Sequence, residues 1–239
     1  AGTFGLSTAL QLLRKGHKNV SLLDPYEVPS PLSAGNDVNK VFQSTVESEF
    51  YSELAEEALQ MWRSDPVFKP AFHEVGIVYG ACGEEAVPEI NKRIAMLEKK
   101  GAEFCQLNSS EEFAKYVKTP NLSIDNSLKG LNLNGRFKDW KGYYQKNMCG
   151  WTYAALALNN VAKECKERGA KFIIGSAEEL LFTNDKCAGV RLYTGETIDA
   201  DIVVICAGAN SYKFLDFGGQ LLAKCWTVGH IKLTPQEAE

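Results

Sequence analysis

The chain is poor in the features that mark several common chemistries. Three histidines, His17, His73 and His230, stand far apart and lack metal-ligand spacing. No Ser/His/Asp arrangement argues for hydrolysis, and no cluster argues for a metal. The seven cysteines are odd in number and none forms a C-x-x-C pair. Reduced, mostly buried thiols in an intracellular protein, cytoplasmic or peroxisomal, are the expectation. No apolar run approaches the ~20 residues of a membrane span. The net charge of −4 gives no general attraction to nucleic acid or to an anionic membrane. Neither is expected as a partner.

What is present is a soluble α/β composition, with 45% hydrophobic and 23% charged residues. The most informative stretch is AGTFGLSTALQLLRKGHKNVSLLD at the start. It reads as a glycine turn, a helix, a strand and an acid. Gly2 and Gly5 fit the second and third glycines of a Gly-x-Gly-x-x-Gly dinucleotide fingerprint, whose opening strand is expected before Ala1. A bare Gly2 lets the backbone approach a pyrophosphate, and Gly5 lets the helix pack closely on a sheet. The helix N-terminus supplies free N–H groups and a positive dipole end. Asp24 ends the apolar run Val20–Leu23 and is placed to accept hydrogen bonds from a ribose. The fingerprint alone does not choose between FAD and NAD, which share the ADP half.

The expected elements run as follows. A helix spans about Phe4 to Lys15 and is closed by Gly16, and a buried strand spans Val20 to Leu23. The proline-rich stretch Pro25–Pro31 cannot be helix or central strand. It leads to the small, polar loop Ser33–Lys40, which should enter a helix. Leu54, Ala55, Ala58, Leu59 and Trp62 mark a helix over 52–62. In the middle, His73–Gly80 reads as one strand, Ala86–Gly101 as an amphipathic helix and Glu103–Leu107 as a strand. Residues 121–139 read as a turn-rich excursion. A helix follows over about 152–168, then a strand over Lys171–Gly175. A hairpin turning at Thr194–Gly195 comes next. Asp201–Ala209 reads as a continuous apolar strand buried on both faces, whose C-terminal end is where open α/β sheets place ligands. Trp226–Leu233 reads as another strand.

These readings give an α/β fold: a Rossmann-like domain with a parallel sheet, plus part of a mixed α+β substrate domain. The expected division is 1–64 and 148–225 for the nucleotide-binding domain and 65–147 for the substrate domain. Residues 226–239 begin the return to the latter.

Several stretches together resemble the fungal fructosyl-amino-acid oxidases, or amadoriases. They are AGTFGLSTALQLLRKGH, VSLLDPYEVPSPLSAGNDVNK, LAEEALQMWRSDPVFKPAFHEVGIVYGAC, WKGYYQKNMCGWTYAALAL and DIVVICAGANSYKFLDFGGQL. The family belongs to the wider sarcosine-oxidase and D-amino-acid-oxidase group of flavoenzymes. The stretch LDPYEVPSPLSAGNDVNK carries the most specific part of the likeness. Residues 43–53 are shorter than the family's usual linker.

The resemblance implies FAD as cofactor. It implies that Gly2, Thr3, Phe4 and Gly5 cradle the pyrophosphate and that Asp24 holds the adenosine ribose. Ala34, Gly35, Asn36 and Asn39 approach the cofactor through backbone and short side chains. Lys40 sits near the isoalloxazine ring, where a cation stabilises the anionic reduced flavin. Glu178 meets the adenine region through its backbone, and Cys206, Ala207 and Gly208 close the other side. The implied reaction is oxidation of the C–N bond of a glycated amino acid, with oxygen reduced to hydrogen peroxide, by a monomer. The resemblance places the substrate-binding acid and arginine, an oxygen-activating lysine and the flavin-linked cysteine beyond Glu239. No catalytic residue is therefore assigned here, and none of the seven cysteines is assigned as the link. The alternatives are another secondary-amine oxidase of the sarcosine or pipecolate type, or an inactive FAD-binding fragment.

Overall fold

A computed structural model describes residues 1–46, 48–83, 85, 87–116, 140–224, 229, 232 and 234–238. The turn-rich stretch 121–139 and most of the strand expected over 226–233 lie outside the described residues. The chain divides into two compact units. The first holds 1–40, 64–71 and 152–226; the second holds 41–63, 72–151 and 227–239.

The first unit starts with helix α1 (Thr3–Arg14), whose Leu6, Ala9, Leu10 and Leu13 recur at helical spacing and are buried. Gly16, at φ +94°, breaks the helix in a conformation that glycine adopts without cost. Strand β1 (Ser21–Asp24) follows. It pairs in parallel with β8 (Lys171–Ile174), Leu22 opposite Phe172 and Asp24 opposite Ile174. Helix α5 (Ala154–Glu167) lies before β8 and packs on α1. Leu158, Val161, Ala162 and Cys165 join Leu6, Leu10, Leu13, Val20 and Leu22 in one buried core. Burying a side chain of this size contributes about 1.5–3 kcal/mol. This is the β–α–β logic of a parallel sheet.

Arg14 closes one side of this core. Its guanidinium donates to both carboxylate oxygens of Asp65, at 2.6 and 3.2 Å. The pair holds the Asp65 carboxyl below its ordinary range, chiefly through that hydrogen bond.

After β8 the chain forms an antiparallel three-stranded sheet in the order β11-β10-β9. Its strands are β9 (Ala177–Thr183), β10 (Lys186–Leu192) and β11 (Thr197–Asp199). The hairpin β10–β11 is the expected one, with the turn at 194–195. Strand β9 had no distinct sequence signature, because Ala177–Thr183 does not alternate cleanly between apolar and polar residues.

The apolar segment after Asp201 departs from expectation. Residues 201–207 form no strand, and Ile202 is 80% and Val204 57% exposed. A run of β-branched residues becomes a strand only when a neighbour supplies a hydrogen-bonded ladder. Among the described residues no neighbour pairs with it.

The second unit contains helix α2 (Glu49–Ser64) through Arg63, and helix α3 (Val87–Lys99). Ion pairs Lys99–Glu49 at 2.6 Å and Lys100–Glu56 at 2.7 Å tie the end of α3 to α2. These contacts accompany the grouping of 41–63 with the second unit. The expected single strand over 73–80 is two strands. β3 (Phe72–Glu74) joins a sheet β2-β7-β3, with β2 (Lys40–Gln43) and β7 (Cys149–Thr152). β4 (Ile77–Cys82) joins a sheet β4-β6-β5, with β6 (Trp140–Gln145) and β5 (Phe104–Leu107). The break falls at Val75–Gly76, where a Cβ on Gly76 would stand 2.3 Å from the Tyr144 ring. Ile90, Ile94 and Leu97 of α3 bury against Tyr143. Arg93 lies over the Tyr79 ring at 4.4 Å. The short helices α4 (Ser110–Tyr116) and α6 (Pro235–Ala238) complete the described elements.

Candidate functional site

The C-terminal ends of β1 and β8 and the start of α1 converge in the first unit. Helix α1 opens at Gly2, which makes no side-chain cap, and its first turn carries no acid. The first helical bond runs from Leu6 N–H to Gly2 C=O at 3.0 Å. The N–H groups of Thr3, Phe4 and Gly5 lie ahead of it, the arrangement that receives an anion. Phe4 turns its ring outward, so its contribution here is its backbone.

The loop after the proline-rich stretch folds back over this turn. A Cβ on Gly2 would meet the Ser33 Oγ at 3.0 Å. A Cβ on Gly35 would meet the Thr3 Oγ1 at 2.8 Å and Leu158 Cδ1 at 3.0 Å. A Cβ at either position would force the facing side chain to shift, more so at Gly35. The loop is held by Ser33 N–H to Ser30 C=O and Asn36 N–H to Ser33 C=O, both 2.9 Å. Ser30 itself is buried. Ala34, Asn36 and Asn39 remain exposed.

From the other side, the Cys206 Cβ comes within 3.5 Å of where a Gly5 Cβ would stand. Cys206 and Ala207 lead into a 3-10 turn over Gly208–Lys213, with Gly208 at φ +55°. The structure thus gathers Gly2, Thr3, Gly5, Gly35 and Cys206 around one helix start.

Asp24 sits at the end of β1. Its Oδ1 accepts the Tyr26 N–H at 3.0 Å, and its Oδ2 pairs with the amino group of Ala1. It lines a cleft of about 330 Å³ with Tyr26, Val28, Lys166, Phe172 and Ile174 among its walls. A larger hollow of about 470 Å³, among Tyr212, Phe214, Phe217 and Leu221, contains none of the predicted residues. Glu178 lies exposed on β9, four residues past the Ile174 that faces Asp24 across the ladder. None of its described contacts joins it to the glycine turn.

The loop ending at Lys40 leads into a strand and not into the expected helix: Lys40 opens β2. Its carbonyl accepts the Thr152 hydroxyl at 3.4 Å, and its ammonium pairs with the Asp37 carboxylate. Ser33, Thr152 and Asp37 were not among the sequence candidates. The small, polar composition of 33–40 carried a signal for Ser33 and Asp37; Thr152, more than a hundred residues away, carried none.

The two thiols at the helix and sheet cores are inert in kind. Burial pushes Cys149 and Cys165 up to about 11. Among the described residues no group of three His, Cys, Asp or Glu side chains is placed to hold a metal. No described helix is long and apolar enough to cross a membrane.

The residues fit a dinucleotide. Two close-packed positions leave little room for a Cβ, an uncapped helix end faces them, and a carboxylate stands at the tip of the adjoining strand. Bound FAD would be held by Gly2–Gly5 at its pyrophosphate and by Asp24 at its ribose.

Comparison with known proteins agrees. The chain is 29% identical to L-saccharopine oxidase of Schizosaccharomyces pombe in an alignment 259 positions long, gaps included, which covers 99% of this chain and 55% of that protein. Among solved structures, it is similar to the fructosamine oxidase (Amadoriase II) of Aspergillus fumigatus. There the identity is 37% and the TM-score 0.80, over 92% of this chain and 50% of the other. A modified fructosyl peptide oxidase from Aspergillus nidulans gives 36% identity and a TM-score of 0.84, over 99% and 55%. The chain spans about half the length of these relatives. The family model for FAD-dependent oxidoreductases matches residues 1–236, and with the glycine turn, Asp24 and the parallel β1–β8 pair this shows that the chain belongs to the FAD-dependent oxidoreductase family.

Proposed function

We propose that the intact protein oxidises the C–N bond of fructosyl (glycated) amino acids. Oxygen is reduced to hydrogen peroxide, and hydrolysis releases the amino acid and a dicarbonyl sugar. The observation that carries this reading is the 37% identity and TM-score of 0.80 to fructosamine oxidase over 92% of the chain. FAD supplies the two-electron chemistry. The residues of this chain bind and orient it: Gly2–Gly5 and the loop Ala34–Asn39 at the pyrophosphate side, Asp24 at the ribose, Glu178 toward the adenine. Lys40 stands toward the ring system, and Cys206–Gly208 close the far side. A cytoplasmic or peroxisomal monomer is part of the same reading.

A second reading rests on the match to L-saccharopine oxidase across 99% of the chain. The intact protein, loaded with flavin, separates the two. Hydrogen peroxide production is measured with fructosyl-glycine, ε-fructosyl-lysine, saccharopine and sarcosine at matched concentrations. The proposal expects the highest kcat/KM on a fructosyl substrate. A higher value on saccharopine or sarcosine overturns it.

A further inference from the structure

We infer that the edge of the first unit where β1 and β8 begin is a docking surface for an acidic segment of a partner protein, held by Lys15, Lys18 and Lys171. It does not depend on the cofactor or the substrate, because this edge lies at the opposite end of β1 and β8 from Asp24 and Ile174.

The topology gathers the charge. Helices α1 and α5 pack side by side and feed the parallel pair β1–β8. Each helix is followed by a glycine of positive φ, Gly16 at +94° and Gly169 at +91°. The loops 15–20 and 168–170 therefore enter the sheet next to each other. The Lys171 N–H donates to the Val20 carbonyl at 3.0 Å, and Ser21 stands opposite Lys171 in the ladder. Adjacent strands lie about 4.8 Å apart. Residues 15–20 and 168–171 contain no acid, and Lys15, His17, Lys18 and Lys171 are all exposed.

The charge at this edge is what pairing leaves over. On α1 and α5, Arg14 is bound to Asp65 and Lys163 to Glu167, and Arg168 just past α5 is bound to Glu164. Lys15, Lys18 and Lys171 have no ion-pair partner among the described residues. Compensation of a helix dipole accounts for Lys15 at the C-cap of α1, but Lys18 and Lys171 lie outside both helices. The three lysines, with His17 among them, stand against a net charge of −4 for the chain. Like charges held together repel, and carboxylates from a partner relieve that repulsion. The surroundings choose the kind of partner. No large apolar side chain is exposed in these loops, whereas a membrane-surface segment couples its cations to apolar side chains that enter the bilayer. No Phe, Tyr or Trp stands in them for a nucleic-acid base to stack on. Lysine ammoniums on flexible stems act as separate point charges, which suits carboxylates spaced along an extended acidic segment.

The intact protein is titrated with a fluorescent oligoglutamate peptide and read by anisotropy at about 0.1 M salt, where the Debye length is about 10 Å. Lys18→Glu combined with Lys171→Glu is expected to weaken binding about 10-fold or more, since each exposed pair is worth up to about fivefold. Lys15→Gln combined with Lys18→Gln removes charge without reversing it and is expected to weaken binding about 3- to 10-fold. Lys92→Glu combined with Lys186→Glu makes the same change in net charge at exposed positions elsewhere, and is expected to leave binding within about twofold of the parent. Turnover and melting temperature are expected to match the parent in all three variants. Equal weakening by the Lys92 and Lys186 pair overturns the inference, as does a parent protein that does not bind the peptide. So does a loss that accompanies a lowered melting temperature in both variants of the edge, which marks a structural role. Tighter binding to phosphatidylserine vesicles than to the peptide also overturns it, and makes the edge a membrane surface.

Discussion

The ammonium of Lys40 is bound to the carboxylate of Asp37, three residues before it. Asp37 is in turn anchored, its carbonyl accepting the Ala155 N–H at 3.0 Å and its Oδ1 the Val38 N–H at 2.8 Å. Lys40 is 48% exposed while Asp37 is largely covered. The cation is thus aimed by a fixed partner and partly neutralised by it.

This sets the size of one effect. If Lys40 faces the flavin ring in the intact enzyme, Lys40→Met lowers the flavin reduction potential and slows reduction by substrate. An exposed, paired charge is worth up to about 1 kcal/mol, which is about 20 mV for a two-electron couple. Asp37→Asn keeps an acceptor and removes the opposing charge, so it moves the potential upward. Dye-coupled reduction titrations measure both. An unaltered potential with a lower melting temperature makes Lys40 a structural residue of β2.

Asp24→Ala is expected to slow FAD incorporation into apoprotein without unfolding the sheet. A carboxylate bonded to a ribose hydroxyl contributes about 1.5–3 kcal/mol. The same carboxylate accepts the Tyr26 N–H. Asp24→Asn retains an acceptor for that turn and separates the two roles. Incorporation at the parent rate in both variants would leave Asp24 as a turn residue.

Much of this site was legible in the sequence because its parts are local. Gly2, Gly5 and Asp24 sit within one helix–strand unit, α1 and β1, where helical and strand periodicities and glycine spacing state the geometry directly. The division of 73–80 into two strands was hidden because the apolar pattern continues through the Val75–Gly76 break. The segment 201–207 was misread for the opposite reason. Its composition is that of a buried strand, but a strand is a pairing, and the pairing is not a property of the segment. The loop Ser33–Lys40 was read as leading into a helix, whereas Lys40 opens a strand whose partner β7 lies more than a hundred residues on.

The buried thiols give a chemical test of the two cores. Cys165 lies against α1 and Cys149 opens β7, the middle strand of its sheet, and burial raises both to about 11. The thiolate is the reactive form. Under native conditions at pH 8, maleimide labelling followed by mass spectrometry is expected to leave both unmodified, while exposed Cys82 reacts first. Rapid labelling of Cys165 in folded protein would mean that the α1–α5 packing opens readily.

The Arg14–Asp65 pair links pH to stability. Asp65 has a lowered folded-state pKa, first through its hydrogen bond to Arg14 and against the opposing effect of burial. Its unfolded reference lies at 3.8. A depressed carboxylate pKa stabilises the fold fully above the unfolded value and loses that contribution as pH falls through the folded value. The side chains are only partly buried, which limits the contribution to about 1–2 kcal/mol. Asp65→Asn is therefore expected to lower the melting temperature at pH 7. The gap to the parent should shrink as pH falls below about 4. Asp65 also accepts the Val67 N–H at 2.9 Å, and Asn retains that acceptor, so the difference isolates the charge. Melting curves of the two proteins from pH 7 to pH 3 measure it. A gap that stays constant over this range would show that the lost stability is packing at the end of α1 and not the ion pair.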